Sequence, residues 1–311
     1  MNNMGINGVV NVYKEKGFTS HDVVAKLRGI FKIKKIGHTG TLDPDAEGVL
    51  PVCIGNATKL CELIMEKDKI YEAELILGKQ TDTQDISGEI LNSSSKYLKL
   101  TEEEITNVIM SFVGEYDQMP PMYSALKVNG KKLYEYAREG VEIERKTRKV
   151  NIYSIEILSI ELPIIKIRVH CSKGTYIRTL CNDIGDKLKV YGCMGKLLRT
   201  KTGIFKLEES YKLSEIEQIV KEGKLSDTDI LMQVDEVLSD YEKLFLKKDY
   251  EKLLLNGNIL EKNAFALEEK LKSDFSKDGE LYRIYNSSGK FMAVYKYYKN
   301  TDILKPEKMF I

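Results

Sequence analysis

Apolar residues recur along this chain with two different periods. Between Ser20 and Lys32, Val23, Val24, Leu27, Ile30 and Phe31 fall on one side of a 3.6-residue period, which predicts an amphipathic helix behind a Thr19/Ser20 cap. Thr101-Glu-Glu-Glu104 has the spacing of a capping box and opens a second helix with the stripe Ile105, Val108, Ile109, Phe112 and Val113. A third is expected over Lys131–Glu139, stopped by Gly140, and a fourth starting near Thr175 after Gly174. Gly8–Tyr13 and the alternating Ile70–Leu77 read as strands, and Val141–Leu158 and Pro163–His170 are β-rich. Ile36–Thr58 breaks both rhythms with glycines at 37, 40, 48 and 55 and prolines at 44 and 51, and is expected to be a long loop. The acidic helical stretch Leu213–Glu222 and the charged segment Asp240–Lys248 read as the connection to a second unit. In that unit Tyr282–Tyr285 and Phe291–Tyr298 flank the turn-forming Asn286-Ser-Ser-Gly289, a hairpin. Strands outnumber helices without β-α-β alternation, so the fold class is α+β, divided into 1–240 and a small β-rich module at 241–311.

Composition changes this picture little. The 311 residues carry 48 Lys+Arg against 47 Asp+Glu, with 42% hydrophobic residues, which excludes disordered, collagen-like and membrane classes. The N-terminal residues lack the basic and apolar regions of a secretory signal, so a cytoplasmic protein is expected, with no membrane association. Five cysteines form no C-x-x-C pair and have only three histidines to join them, which fits neither a disulfide framework nor a zinc site.

Charge is distributed unevenly. Val23–His38 has five basic residues (Lys26, Arg28, Lys32, Lys34, Lys35) and no carboxylate, and Lys127–Val150 has eight basic residues against four acidic ones. Lys196–Lys206 adds four basic residues with no acid, whereas Leu207–Asp240 holds ten acidic residues and three basic ones. A polyanion could dock on the first three stretches and would be repelled by the fourth.

The loop Gly37-His-Thr-Gly-Thr-Leu-Asp-Pro-Asp-Ala-Glu-Gly48 concentrates chemistry among glycines, where the backbone can approach a ligand closely. Asp43, Asp45, Glu47 and Gly48 imitate the start of a calcium loop, but the twelfth position is Ile54 instead of a bidentate Glu. His38 and Asp43 lack the third partner a hydrolytic metal would want. The remaining readings are Asp43 as a cofactor-free nucleophile or base, its backbone extended by Pro44, and Asp43 as a turn cap. In Cys171-Ser-Lys-Gly-Thr-Tyr-Ile-Arg-Thr-Leu180, Arg178 falls in a helix's first turn, against the helix dipole. That placement suits pairing with a carboxylate or phosphate, or an ordinary surface salt bridge. Tyr71 and Tyr176 could stack on a base or pack a core edge.

Gly37-His-Thr-Gly-Thr-Leu-Asp-Pro-x-Ala-x-Gly-Val-Leu-Pro-Val52 resembles the catalytic loop of the bacterial tRNA pseudouridine synthase B (TruB) family. Further stretches fit the same family in order: Tyr71 with Gly78-x-x-Thr-Asp-Thr-x-Asp85, Pro120-Pro-Met-Tyr-Ser-Ala-Leu-Lys-Val-Asn-Gly130 with Leu-Tyr-Glu-x-Ala-Arg138, Cys171 to Leu180, and Leu304-Lys-Pro-Glu-Lys308. The resemblance implies a mixed, largely antiparallel sheet flanked by helices with an RNA-binding cleft, and a PUA-like C-terminal module. It implies isomerisation of uridine to pseudouridine in the T-loop of tRNA, at position 55, with no cofactor or metal. Carried over residue by residue, it makes Asp43 the essential aspartate, pairs Arg178 with it, sets Tyr71 and Tyr176 on the target uracil, places His38 on the flipped nucleotide and lines the pocket with Leu197. Two departures stand out: Lys14-Glu-Lys-Gly17 lacks the family's proline after the lysine, and Tyr191-Gly-Cys-Met-Gly-Lys-Leu197 replaces a Gly-Cys-Gly-Ala-His pattern.

Such a reaction breaks the N1–C1′ bond, turns the uracil and joins C5 to C1′. A carboxylate can act at the sugar carbon or remove a sugar proton. The final C5 proton needs a base, for which Tyr71 or a water is the candidate. Extruding the target base costs a few kcal/mol. Phosphate contacts that offset this cost are expected from Lys32, Lys34 and Lys35 and from Lys127, Lys131, Lys132, Arg145, Lys146, Arg148 and Lys149. The expected partner is the tRNA T-stem-loop, bound by a monomer with no obligate protein partner. The competing readings are a guide-dependent rRNA relative, a non-catalytic RNA-folding chaperone and a metal-dependent phosphohydrolase.

Overall fold

A computed structural model of the chain describes residues 6–266 and 277–311. Strand β1 (Gly8–Lys14) leads into α1 (Ser20–Phe31), whose Thr19 cap and Asp22 form a reciprocal capping box and whose buried stripe is Val23, Val24, Leu27 and Phe31. β2 (Ile36–His38) and β3 (Glu47–Ile54) follow, then α2 (Cys61–Met65) and β4 (Lys69–Leu77). A small hairpin, β5 (Lys79–Thr81) and β6 (Ile90–Ser93), precedes α3 (Glu102–Met110), capped by Thr101 and Glu104, and β7 (Gly114–Gln118). An excursion carries β8 (Lys127–Val128), β9 (Lys131–Lys132) and α4 (Leu133–Arg138) before β10 (Arg148–Glu161), β11 (Ile164–Cys171) and α5 (Ile177–Lys187). Next come β12 (Gly192–Thr202), β13 (Phe205–Lys206), α6 (Leu213–Lys221), β14 (Leu231–Met232) and α7 (Val234–Val237). The chain closes with β15 (Glu242–Phe245), α8 (Glu251–Leu255), β16 (Leu260–Glu261), β17 (Leu281–Tyr285), β18 (Phe291–Tyr298) and β19 (Ile303–Met309).

The principal sheet runs β14-β1-β3-β12-β4-β11-β10-β7, with β2 beside β3 and β13 beside β12. Every strand pairing in it is antiparallel except β3 with β12, where Glu47 and Gly48 face Leu198 and Arg199. This is the expected mixed, largely antiparallel α+β sheet. Helices α1 and α6 bury Leu27, Phe31 and Ile216 on Val10, Val12, Leu50 and Val52, while α3 and α5 bury Ile105, Leu180 and Ile184 against β4, β10 and β11.

Four expectations change. Ile36–Thr58 is not one long loop: β2 and β3 form within it, and only the stretch between them stays irregular. β3 is buried along almost its whole length, so it reads as a continuous apolar run without the alternation that announces a strand. The β-rich stretch after Val141 begins its strand only at Arg148. α6 is part of the main core through Leu213 and Ile216, not a connector. Finally, Asp240–Lys248 contains β15, which pairs in parallel with β17 in a second, five-stranded sheet ordered β15-β17-β18-β19-β16. That sheet has its own core around Leu254, Phe265, Tyr282, Tyr295 and Tyr297, and its Val294 and Phe291, with Phe310 just after β19, also pack against Val9, Val49 and Cys53 of the first sheet and Leu60 after it.

Candidate active site

The loop between β2 and β3 is pinned at four points. Thr39 donates from both its backbone N–H (3.2 Å) and its hydroxyl (2.9 Å) to the Pro51 carbonyl, and the Leu42 N–H donates to Ser20 Oγ (3.0 Å). The Pro44 carbonyl accepts from the Gly17 N–H (2.9 Å) and from Lys14 Nζ (3.1 Å), and the Asp43 carbonyl accepts from the Ala46 N–H (3.1 Å). Lys14 is wholly buried and also donates to the carbonyls of Phe18 (2.6 Å) and Glu15 (3.2 Å). Burial pushes its pKa down to about 8, against the pull of Glu47 and Asp43. Its three carbonyl contacts hold the Lys14–Phe18 turn, which lacks a stiffening proline, onto the Asp43 loop.

Asp43 meets Arg178 through both carboxylate oxygens: Nε lies 3.1 Å from Oδ2 and Nη2 donates to Oδ1 at 3.4 Å. Arg178 sits in the first turn of α5, its side chain only 7% exposed against 40% for Asp43. The cation is therefore the wall and the carboxylate is the face open to a ligand. The remaining donors of Arg178 go to the Thr83 carbonyl (3.1 Å) and the Tyr123 carbonyl (2.7 Å), with Asp85 3.6 Å away. Desolvation raises the pKa of Asp43; Arg178 opposes the rise and Asp85 adds to it.

Tyr176 caps α5, and its backbone N–H and carbonyl are both bonded by the buried Gln118 amide (2.7 and 2.9 Å), which leaves the ring half-buried. Tyr71 packs in the core cluster of Leu42, Ala46 and Ile177, with Leu197 against the same cluster. Burial raises the pKa of the Tyr71 phenol, and the Arg199 guanidinium beside it pulls the other way. Arg199 pairs directly with Tyr71 across β12 and β4 and is 1% exposed. His38 bonds Gly40 O through Nδ1 (3.1 Å), meets His21 edge to face (5.2 Å between ring centroids), and has its pKa lowered by burial. Both rings line a cavity of about 510 Å³ with Arg28, Lys34 and Lys35.

The structure thus gathers Asp43, Arg178 and Tyr71 near one loop, with Leu197 of β12 against the same core cluster, Tyr176 at the cap of α5 and His38 at the loop's entry. Of the candidate backbone contacts, Lys32, Lys34, Lys127, Lys146 and Arg148 are exposed and carry no ion pair among the described residues. Lys35 is exposed and bonds Asn56 Oδ1 (3.2 Å), and the half-buried Lys132 reaches the Tyr134 hydroxyl (3.4 Å). Lys131 and Lys149 pair with Glu139 and Glu115, and Arg145 bonds the Pro120 carbonyl (2.9 Å). Sequence reasoning gave no role to Lys14, Asp85, Gln118 or Arg199. Asp85 lay within a quoted motif, and Arg199 within an acid-free basic run. Among the described residues no three His, Cys, Asp or Glu side chains converge as metal ligands, and no helix is long and apolar enough to cross a membrane.

Residues 28–177 match the model of the TruB family pseudouridylate synthase N-terminal domain, and 178–245 match that of the tRNA pseudouridylate synthase B C-terminal domain. A protein of Lachnoclostridium phytofermentans named tRNA pseudouridine synthase B is 51% identical, over 98% of this chain and 100% of its own length. One of the same name from Clostridium kluyveri is 46% identical over 93% and 95%. Among solved structures, a chain from a Cbf5–Nop10–Gar1 complex superposes with a TM-score of 0.76 at 28% identity, over 98% of this chain and 85% of that one.

Proposed function

The chain belongs to the TruB family of pseudouridylate synthases, and from that premise we propose that it isomerises uridine to pseudouridine in the T-loop of tRNA, at position 55, with Asp43 as the reacting carboxylate. The observation that carries the reading is the twofold contact of Asp43 with a buried guanidinium whose other donors end on the carbonyls of Thr83 and Tyr123. A carboxylate in that setting is fixed in orientation, with a cation that favours its ionised form against desolvation, while one face stays open to the substrate.

Two routes are open to it. In one, Asp43 attacks C1′ and the N1–C1′ electron pair leaves with the uracil; in the other, it removes a sugar proton and the base departs as a glycal forms. Both need the anion. Tyr71, Tyr176 and Leu197 present flat and apolar surface on which a detached ring can turn and still be retained. His38, kept neutral by burial, contacts the flipped nucleotide beside the basic cavity. The exposed basic residues at 32–35 and 127–149 meet RNA phosphates. The catalytic unit is 1–240, and 241–311 is a PUA-like RNA-binding module. The enzyme works as a cytoplasmic monomer, without cofactor, metal or obligate protein partner.

The test is tritium release from an unmodified tRNA transcript carrying [5-³H]uridine, with chelator present. Wild type should release tritium; Asp43→Asn, and a transcript whose T-loop target U is changed to C, should not. Tight tRNA binding with no release by wild type would sink the catalytic reading in favour of an RNA-folding role.

A further inference from the structure

Besides Arg178, three cations are buried around the site, and two of them are bonded to backbone carbonyls alone. Lys14 donates to three backbone carbonyls and Lys69 to those of Met65 and Lys67. Arg199 is different. Its Nε donates to the Val49 carbonyl (2.7 Å), its Nη1 points toward Gly40 in the catalytic loop, and its Nη2 is buried with no partner among the described residues. It forms no ion pair among them either. An unpaired donor on a buried charge is costly, and such groups call for an explanation at the place where they occur.

The place is beside Tyr71. Arg199 and Tyr71 are direct partners across β12 and β4, so their side chains project from the same face of the sheet, and the guanidinium reaches the phenol. The backbone is closed around this spot: a Cβ on Gly48 would meet the Arg199 carbonyl oxygen at 2.2 Å, so strand β3 runs directly against it.

We propose that Arg199 is a positioning residue that acts through Tyr71: it holds the phenol and offsets the negative charge on its oxygen while Tyr71 carries a proton between the two reacting positions of uracil. This rests on the isomerase reading above. Once C5 has joined C1′, C5 still bears its hydrogen and N1 is unprotonated. Tyr71 gives its own proton to N1 and its phenolate accepts the C5 hydrogen as a proton. The C5–H electron pair becomes the C5=C6 double bond, and the former C6=N1 π pair is the one that N1 uses to hold its new proton. Tyr71 ends as it began, and nothing is consumed. Without a positive partner the buried phenolate would be too costly to form.

The test compares wild type, Arg199→Lys and Arg199→Gln under single-turnover conditions on transcripts with [5-¹H]- or [5-²H]uridine at the target. Arg199→Gln should slow pseudouridine formation on the order of 100-fold, the scale for losing one preorganised electrostatic partner. It should also enlarge the C5 deuterium isotope effect over that of wild type, because the proton step becomes limiting. Arg199→Lys, which keeps a charge in the core, should recover part of the rate, and tRNA affinity should be unchanged in both. Should Arg199→Gln fail to fold, Arg199→Lys decides: a slower rate with a larger isotope effect supports the assignment. A slower rate with the wild-type isotope effect would mark Arg199 as merely structural and overturn it, as would an unchanged rate or weakened tRNA binding. If wild type makes no pseudouridine at all, it is the isomerase reading that fails.

Discussion

At the scale of single residues, Asp43 is held between opposing influences. Desolvation and Asp85 favour its protonated form, Arg178 its ionised form, and desolvation prevails. The acid limb of kcat/KM should therefore lie above the ordinary aspartate value of about 3.9. Asp85→Asn removes a like charge and should move that limb to lower pH; Arg178→Met removes the opposing cation and should move it higher. A pH-rate profile of the three proteins checks both signs. Asp43→Asn should cost at least about 10³-fold in kcat, read by tritium release, with folding unaffected by circular dichroism. The Asp43–Arg178 pairing was legible in sequence because both residues lie in long ordered motifs. The buried surroundings were not. In the sequence Lys14 stands out only as the start of Lys14-Glu-Lys-Gly17, the stretch lacking the family's proline, yet it is wholly buried on carbonyls supplied by two separate loops, a partnership that only tertiary structure creates.

At the scale of elements, the helices were legible where caps and stripes agreed, as in α1 and α3. β3 was not, because burial on both faces erases the period of two. The contact of α5 with β12 shows how tightly the helix bearing Arg178 is set. A Cβ on Gly185 would meet Gly192 N at 2.1 Å and Tyr191 C at 2.3 Å, whereas one on the exposed Gly29 of α1 meets nothing within 4 Å. Gly185→Ala should thus lower stability by about 3 kcal/mol or more through overpacking. At about 2–4 °C per kcal/mol, Tm should fall by roughly 6–12 °C. Gly29→Ala should instead raise stability by about 0.5–1 kcal/mol. Paired thermal melts test both, and a Gly185→Ala protein as stable as wild type would contradict the close helix–strand contact.

At the scale of the whole molecule, the near-zero net charge conceals the surface that matters. Lys34, Lys127, Lys146 and Arg148 are exposed and unpaired among the described residues, on two separate stretches of the chain. Changing Lys34, Lys127 and Lys146 together to Glu should weaken tRNA binding and flatten the slope of log Kd against log salt by about 2 to 3, since each lost phosphate contact removes roughly 0.7–0.9. An unchanged slope in filter binding would remove these residues from the RNA interface. The uneven charge was visible in sequence; that Lys131 and Lys149 are partly neutralised by Glu139 and Glu115 was not, since one pairing spans helix α4 from β9 to its C-terminal cap and the other crosses from β10 to β7.

β3 also has a consequence for how the two sheets communicate. Leu50, Val52 and Ile54 face the helices α1 and α6, while Val49 and Cys53 face the cluster shared with Val294 of the second sheet and Phe310 just after it. The strand that anchors the Asp43 loop is thus clamped between two cores, and its amides can exchange with solvent only when one of them opens. Deuterium uptake at Glu47–Ile54 therefore gauges how firmly the C-terminal sheet is seated, and a substitution such as Phe310→Ala, within the shared cluster, would announce itself first as faster exchange along this one strand.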